Sequence, residues 1–370
     1  MSELLGRRGF IQGVATTSMA PSMLEEEVDS DSDESTSSSS VAVLTMPMRF
    51  DRRGGSYVVD WELNDIRFSG VLDTASPFMT VSGSCGEIDE TWGCLDTTFD
   101  SLERRERRMF SPTYEVYGLQ EDGLTDWLRG DVVLRGEEGE LRMEDVTFGA
   151  SEGFGERVGS APGNFAPMFG LVRDVSKGIR PSLLSQTPFT SFTVDFLSSK
   201  FTLGRAAWDE QGGGDVGSRI PLVDLRPMGS PAFEYACKVE SLVVNGYEVA
   251  LDRPVFAVID TGTTGMLVSK RLWDKSLLQL GVAQCAIELQ TIDGGNLVVA
   301  ASTRSCRGDC LLVSTPIDVL WQPPEDEIGD GAAPKFDVIF VGLAFLTSRG
   351  HLSVDLDKNV LSLGPYERSA

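Results

Sequence analysis

Val71-Leu72-Asp73-Thr74-Ala75-Ser76 decides the reading of this chain, because Val258-Ile259-Asp260-Thr261-Gly262-Thr263 nearly repeats it. Each copy runs an apolar pair into Asp-Thr, then a small residue, then a hydroxyl. An aspartate that ends a strand and meets small residues at once sits on a tight, exposed turn. Two such turns predict two lobes that each bring one carboxylate to a shared cleft.

The sequence around each copy has the same texture. Residues 41–50 and 56–63 run apolar or alternate, with Arg52-Arg53-Gly54-Gly55 as the turn of a hairpin. A third strand, 66–72, leads into Asp73. Short β-branched runs follow at 131–134, 146–149 and 192–196, and only brief windows such as 180–186 show a helical period. In the second half, 233–242 and 243–249 form a hairpin around Asn245-Gly246, and 255–259 leads into Asp260. Each half also carries an apolar-apolar-Gly segment, at 167–171 and 338–343. The chain is therefore expected to be mainly β with a twofold internal repeat. The Gly-rich run marks the boundary. It predicts an N-terminal β lobe over 41–211, a linker over 212–218 and a C-terminal β lobe over 219–370.

Residues 1–40 read differently. Arg7-Arg8-x-Phe10-Ile11 before a small-residue stretch resembles a twin-arginine export signal, and a tail that merely contains Arg-Arg reads equally well. The Glu, Asp and Ser runs that follow cannot bury enough surface to fold, so 1–40 is expected to be a disordered acidic tail.

Composition narrows the function. The chain has 370 residues, 41% of them hydrophobic, and 32 basic against 56 acidic residues give a net charge of −24. That charge excludes nucleic acid or an anionic membrane held by bulk electrostatics. No apolar run approaches the roughly 18 residues of a membrane span. The one histidine, His351, has no catalytic serine or cysteine signature to serve, and is expected on the surface or on an edge strand. No cluster has zinc spacing, so neither metal nor cofactor is expected. Of six cysteines, Cys85 and Cys94 bracket a short loop and form the first candidate bridge. Cys285 with Cys306 or Cys310 comes next. Bridges would place the protein in an oxidising compartment, exported or luminal.

Taken together, the motifs resemble the pepsin-like aspartic proteases over nearly all of 41–370. The resemblance rests on an ordered set. It contains Asp73-Thr74-Ala75-Ser76 and Asp260-Thr261-Gly262-Thr263, Tyr117-Gly118 as the flap, the Gly170 and Gly342 segments, the Cys85/Cys94 loop and the closing strands of 352–364. It implies a bilobal β fold and an aspartic endopeptidase acting as a monomer on a peptide or protein substrate. Asp73 and Asp260 would be catalytic. Ser76 and Thr263 would support their outer oxygens, and Thr74 and Thr261 would lock the loops together. Ala75, Tyr117, Gly118, Gly262 and Thr264 would hold the substrate, with Tyr117 preferred over Tyr114 as the flap residue because glycine follows it. Two carboxylates this close share a proton, which is the chemistry amide hydrolysis needs. The chain departs from the pattern in three places, one being Pro77-Phe78-Met79-Thr80, which lacks the usual hydroxyl and the later tryptophan that would hydrogen-bond the flap tyrosine. Ala75 replaces a glycine, which should place a methyl near the substrate path or strain the turn. The segment 119–123 should form a long acidic flap tip. These departures carry the alternative of a catalytically silent binding protein on the same scaffold.

Overall fold

The computed structural model describes residues 42–52, 54–83, 92–95, 110–117, 120–152, 167–177, 179–206, 218–275, 281–305, 312 and 336–364. In chain order the strands are β1 (Leu44–Asp51), β2 (Ser56–Leu63), β3 (Ile66–Asp73), β4 (Met79–Ser82), β5 (Phe110–Tyr117), β6 (Gln120–Gly136), β7 (Gly139–Glu152), β8 (Met168–Gly170), β9 (Ser191–Asp195) and β10 (Lys200–Leu203). They continue as β11 (Ser218–Pro221), β12 (Ala236–Val244), β13 (Tyr247–Glu248), β14 (Val255–Ile259), β15 (Met266–Val268), β16 (Gln284–Gln290), β17 (Asn296–Ser302), β18 (Asp337–Val341), β19 (His351–Asp355) and β20 (Val360–Leu363). The helices are single turns or little more, such as Lys270–Lys275 and Leu343–Leu346. Among the described residues no helix is long and apolar enough to cross a membrane.

Two sheets carry these strands. The larger follows the order β11-β20-β19-β9-β10-β1-β2-β3-β8-β4-β7-β6-β5, and the smaller β15-β18-β14-β12-β16-β17, with β13 on β12. The closing strands β19 and β20 thus join the sheet of the first half, through β9. The chain is mainly β, as its short β-branched runs predict.

The strands that end at the two aspartates are central in their sheets. β3 lies between antiparallel β2 and parallel β8, and β14 between antiparallel β12 and parallel β18. Covered on both faces, β14 is buried throughout and β3 from Phe68 onward. This explains why β14 reads as a continuous apolar run rather than an alternating one. Each fully buried Leu or Ile here contributes about 1.5–3 kcal/mol. A strand buried on both faces also delivers its terminal aspartate into a dry setting.

Three expectations fail here. His351 is buried in β19, flanked by β9 and β20, so it is neither on the surface nor on an edge strand. Its ring packs where a Cβ on Gly364 would stand, and burial draws its pKa down. Cys285 is a free, buried thiol, as is Cys237, so no bridge from Cys285 to Cys306 or Cys310 forms. Burial pushes both thiols up to about 12, which keeps them inert at ordinary pH. Finally, residues 120–123 are the start of β6, with Gln120 opposite Tyr117, and do not form a long flap tip. Cys85, Cys306, Cys310, the tail 1–40 and the linker 212–217 lie outside the described residues.

Candidate active site

Asp73 is the last residue of β3. Its loop turns back on it at once: Ala75 N–H donates to Oδ1 at 2.8 Å and Ser76 Oγ–H to Oδ2 at 2.6 Å. Asp260 follows β14 directly and is served alike. Gly262 N–H donates to Oδ1 at 2.8 Å, Thr263 N–H to the same oxygen at 3.2 Å, and Thr263 Oγ1–H to Oδ2 at 2.6 Å. Aspartates favour such turns because a short carboxylate reaches backbone N–H groups two residues on.

Thr74 and Thr261 join the loops. Thr74 Oγ1–H donates to the Ile259 carbonyl at 2.6 Å, and Thr261 Oγ1–H to the Leu72 carbonyl at 2.6 Å. Each hydroxyl also accepts from the other residue's N–H, at 3.1 Å onto Thr261 and 3.0 Å onto Thr74. All four partners are buried, so each bond satisfies a group that water cannot reach. The result is a crossed lock between the ends of β3 and β14.

Behind each loop runs a glycine. Gly170 N–H donates to the Phe78 carbonyl, and Leu171 N–H to the Asp73 carbonyl at 2.8 Å. On the other side Gly342 N–H donates to the Gly265 carbonyl, and Leu343 N–H to the Thr263 carbonyl at 2.8 Å. A Cβ on Gly170 would stand 2.5 Å from the Ser76 carbonyl, and one on Gly342 would strike the Thr263 carbonyl. Only glycine lets the backbone pass this close.

The lock brings the aspartates into hydrogen-bonding contact with each other. Both are raised. For Asp260, burial is the main cause and the neighbouring Asp73 the second, and its value reaches about 8. For Asp73, burial again raises it, while the Ser76 hydroxyl and the Ala75 N–H pull back. The pair titrates as a unit, and burial with mutual repulsion keeps one carboxyl protonated after the other has ionised. A charged and a protonated carboxyl side by side can take a proton from water and give one to a leaving group.

Around the pair, Ala75 has no positive φ, so the turn carries none of the expected strain. Its methyl packs against the second-half cluster of Leu225, Ala236, Phe256 and Val258. Gly262 is tighter: a Cβ there would lie 2.7 to 2.9 Å from the Asp73 carboxylate. Thr264 is half-buried and its carbonyl accepts from Ala344 N–H at 2.8 Å. Tyr117 ends β5, opposite Gln120, while Tyr114 pairs further down with Leu124. Gly118 and the side chain of Tyr117 lie outside the described residues.

Two features beside the pair carry no motif. Phe78, just past the first loop, meets Trp127 edge-on at 4.9 Å, and the Arg180 guanidinium stacks over both rings at 4.6 and 3.9 Å. Trp127 Nε1–H donates to Thr113 Oγ1 at 2.7 Å, tying β6 to β5. Glu234 is the second feature, a buried carboxyl whose pKa is raised by burial first and then by the charges of Asp260 and Asp73.

No protein-family model matches the chain. No curated protein matches it either. Among solved structures it is similar to basic 7S globulin from soybean, with a TM-score of 0.55 and 14% identity over 89% of this chain and 97% of that one. The fold is the bilobal pepsin-like one. At this identity the likeness speaks for the fold alone.

Proposed function

We propose that the chain is an aspartic endopeptidase that hydrolyses peptide bonds with a water activated between Asp73 and Asp260. The observation that carries this reading is the pair itself. Two buried carboxyls touch, each is held by its own loop, and the loops are cross-locked by Thr74 and Thr261. The ionised member of the pair takes the proton of the attacking water. The protonated member polarises the scissile carbonyl, and the pair then passes a proton to the leaving nitrogen. Fixed donors from Ser76 and Thr263 keep the outer oxygens oriented, so little reorganisation is left for the transition state. Ala75, Gly262, Thr264 and the β5–β6 hairpin with Tyr117 and Gly118 would line the path of an extended substrate.

The first test is direct. The full chain is expected to cleave an unfolded protein at about pH 3–5, the range dyads of this kind favour. Asp73→Asn and Asp260→Asn are each expected to abolish cleavage, and a pepstatin-type inhibitor to block it. Peptide binding without turnover, unaffected by the inhibitor, would instead support a silent binding protein. That second reading draws on the Ala75 methyl and on the similar solved structure being named a globulin rather than a protease.

Three further expectations belong with this proposal. Cys85 and Cys94 would form a bridge, in keeping with Cys94 not being among the described free thiols. The protein would then work in an oxidising compartment, exported or luminal. It would act as a monomer, with its lobes meeting at 212–218.

A further inference from the structure

The β5–β6 hairpin has a weak seat in its own sheet. β5 is the last strand of the larger sheet and pairs with β6. Its register on β6 shifts twice, between Phe110 and Thr113 and between Tyr114 and Val116. An edge strand with interrupted pairing opens more easily than a central one. Tyr117, at the end of β5, would nonetheless have to stay over an extended substrate. The hairpin is held at its base instead.

Three side chains join that base to the first loop. Phe78 lies two residues past Ser76, and its ring meets that of Trp127 in β6 edge-on at 4.9 Å. Both rings are buried. Trp127 pairs with Phe110, and its Nε1–H donates to Thr113 Oγ1 at 2.7 Å, across the first register shift. The third side chain is Arg180. After β8 the chain gives Val172 N–H to the Ser76 carbonyl at 3.0 Å, and it returns to give Leu183 N–H to the Pro77 carbonyl at 2.9 Å. Arg180 sits on that return and is half-buried. Its guanidinium carbon lies 3.9 Å from the centre of the Trp127 ring and 4.6 Å from that of Phe78. A guanidinium over an aromatic face is attracted by the ring quadrupole, and indole is the best such face. One cation therefore holds a ring of the loop and a ring of the hairpin at once.

We propose that Arg180 is a positioning residue that clamps the base of the β5–β6 hairpin to the first catalytic loop. Its effect on hydrolysis rests on the protease reading, while the clamp itself is read without substrate. The aspartates are held separately, by the crossed bonds of Thr74 and Thr261. Loosening the clamp therefore leaves the pair in place and frees the hairpin. The substrate is then gripped less firmly before and during reaction alike, which raises KM and leaves kcat nearly unchanged.

The test compares Arg180→Leu with Arg180→Lys in the full chain. Both keep an aliphatic stem against the rings, and only lysine keeps a cation. Backbone hydrogen exchange of residues 110–117 and 120–128 is read against that of 236–259 in the same molecule, which reports any global loss of stability. Arg180→Leu is expected to speed exchange in the hairpin by about tenfold, the worth of a cation over two rings, and to leave 236–259 within about twofold. Arg180→Lys is expected to speed it by less than about threefold. With a peptide substrate, Arg180→Leu is expected to raise KM by about tenfold and to change kcat by less than about threefold. Unchanged hairpin exchange in Arg180→Leu overturns the clamp. So do equal effects of the two variants, or an acceleration that spreads equally to 236–259. A fall in kcat at unchanged KM overturns its part in gripping substrate. If the unaltered chain cuts no peptide, the protease reading falls by itself, and hydrogen exchange still decides the clamp.

Discussion

The loops at Asp73 and Asp260 have nearly the same hydrogen bonds and different clearances. In each, a small residue two places on gives its N–H to Oδ1 at 2.8 Å, and a hydroxyl three places on gives its proton to Oδ2 at 2.6 Å. The small residue is Ala75 in one and Gly262 in the other. Neither has a positive φ, so backbone conformation does not require glycine at either. Clearance does, at one of them. A Cβ at Gly262 would come within 2.7 Å of the Asp73 carboxylate, whereas the Ala75 methyl rests on an apolar cluster. The glycine is thus a spacing device, and only the second loop needs it.

The sharpest way to break this comparison is to exchange the residues singly. Gly262→Ala pushes a methyl into Asp73 and is expected to lower kcat/KM by about a hundredfold or more, the usual effect of displacing a reacting group by an ångström. Peptide hydrolysis measures it. If Gly262→Ala retains most of its activity, clearance is not the reason for the glycine.

The lock between the loops should behave the opposite way, with equal halves. Thr74→Val and Thr261→Val each leave a buried carbonyl and a buried N–H without partners. Each is expected to cost about 2–4 kcal/mol in denaturant unfolding. The two residues share partners, so the double variant should cost clearly less than the sum. Unequal single effects, or strict additivity, would show that the loops are not held as one unit.

How far the sequence speaks also differs between these features. The catalytic loops and the hairpins beside them are local: an apolar run, a turn residue and a repeat suffice to read β1 to β3, β12 to β14 and the two Asp-Thr turns. Sequence is silent where the cause is a contact between distant segments. Nothing around Glu234 marks it, because its burial and the charges that act on it come from segments distant in the chain. The seat of Ala75 depends on residues of the second half, and so the expectation of a strained turn fails. His351 looks like a surface residue until β9 and β20 close on either side. The polar letters of 120–123 suggest a loop, yet their backbone pairs with β5 as a strand.

A milder exchange sharpens the comparison from the other side. Ala75→Gly removes a methyl from the cluster of Leu225, Ala236, Phe256 and Val258. The lost burial is about 0.8 kcal/mol, and the freer unfolded backbone adds roughly 0.5–1 kcal/mol. A loss near 1–2 kcal/mol is expected in denaturant unfolding, with kcat/KM changed less than about threefold. A large gain in activity would instead return Ala75 to the substrate path and strengthen the silent-binder reading.

The smallest effect tests what the two loops hold between them. Asp73, Asp260 and Glu234 are all raised, burial being the first cause in each. An acid raised in the folded state adds stability that is fully present below its unfolded value and lost as pH climbs through the folded value. For Glu234 that window opens at its ordinary value of 4.5 and extends upward. The protein should therefore melt at a higher temperature at pH 4 than at pH 7.5 as far as these groups decide. Glu234→Gln, which cannot ionise, should raise the melting temperature at pH 7.5 by about 2 °C and leave that at pH 4 nearly unchanged, as read by calorimetry at both pH values. An equal shift at both would mean that the Glu234 carboxyl stays neutral or finds a partner.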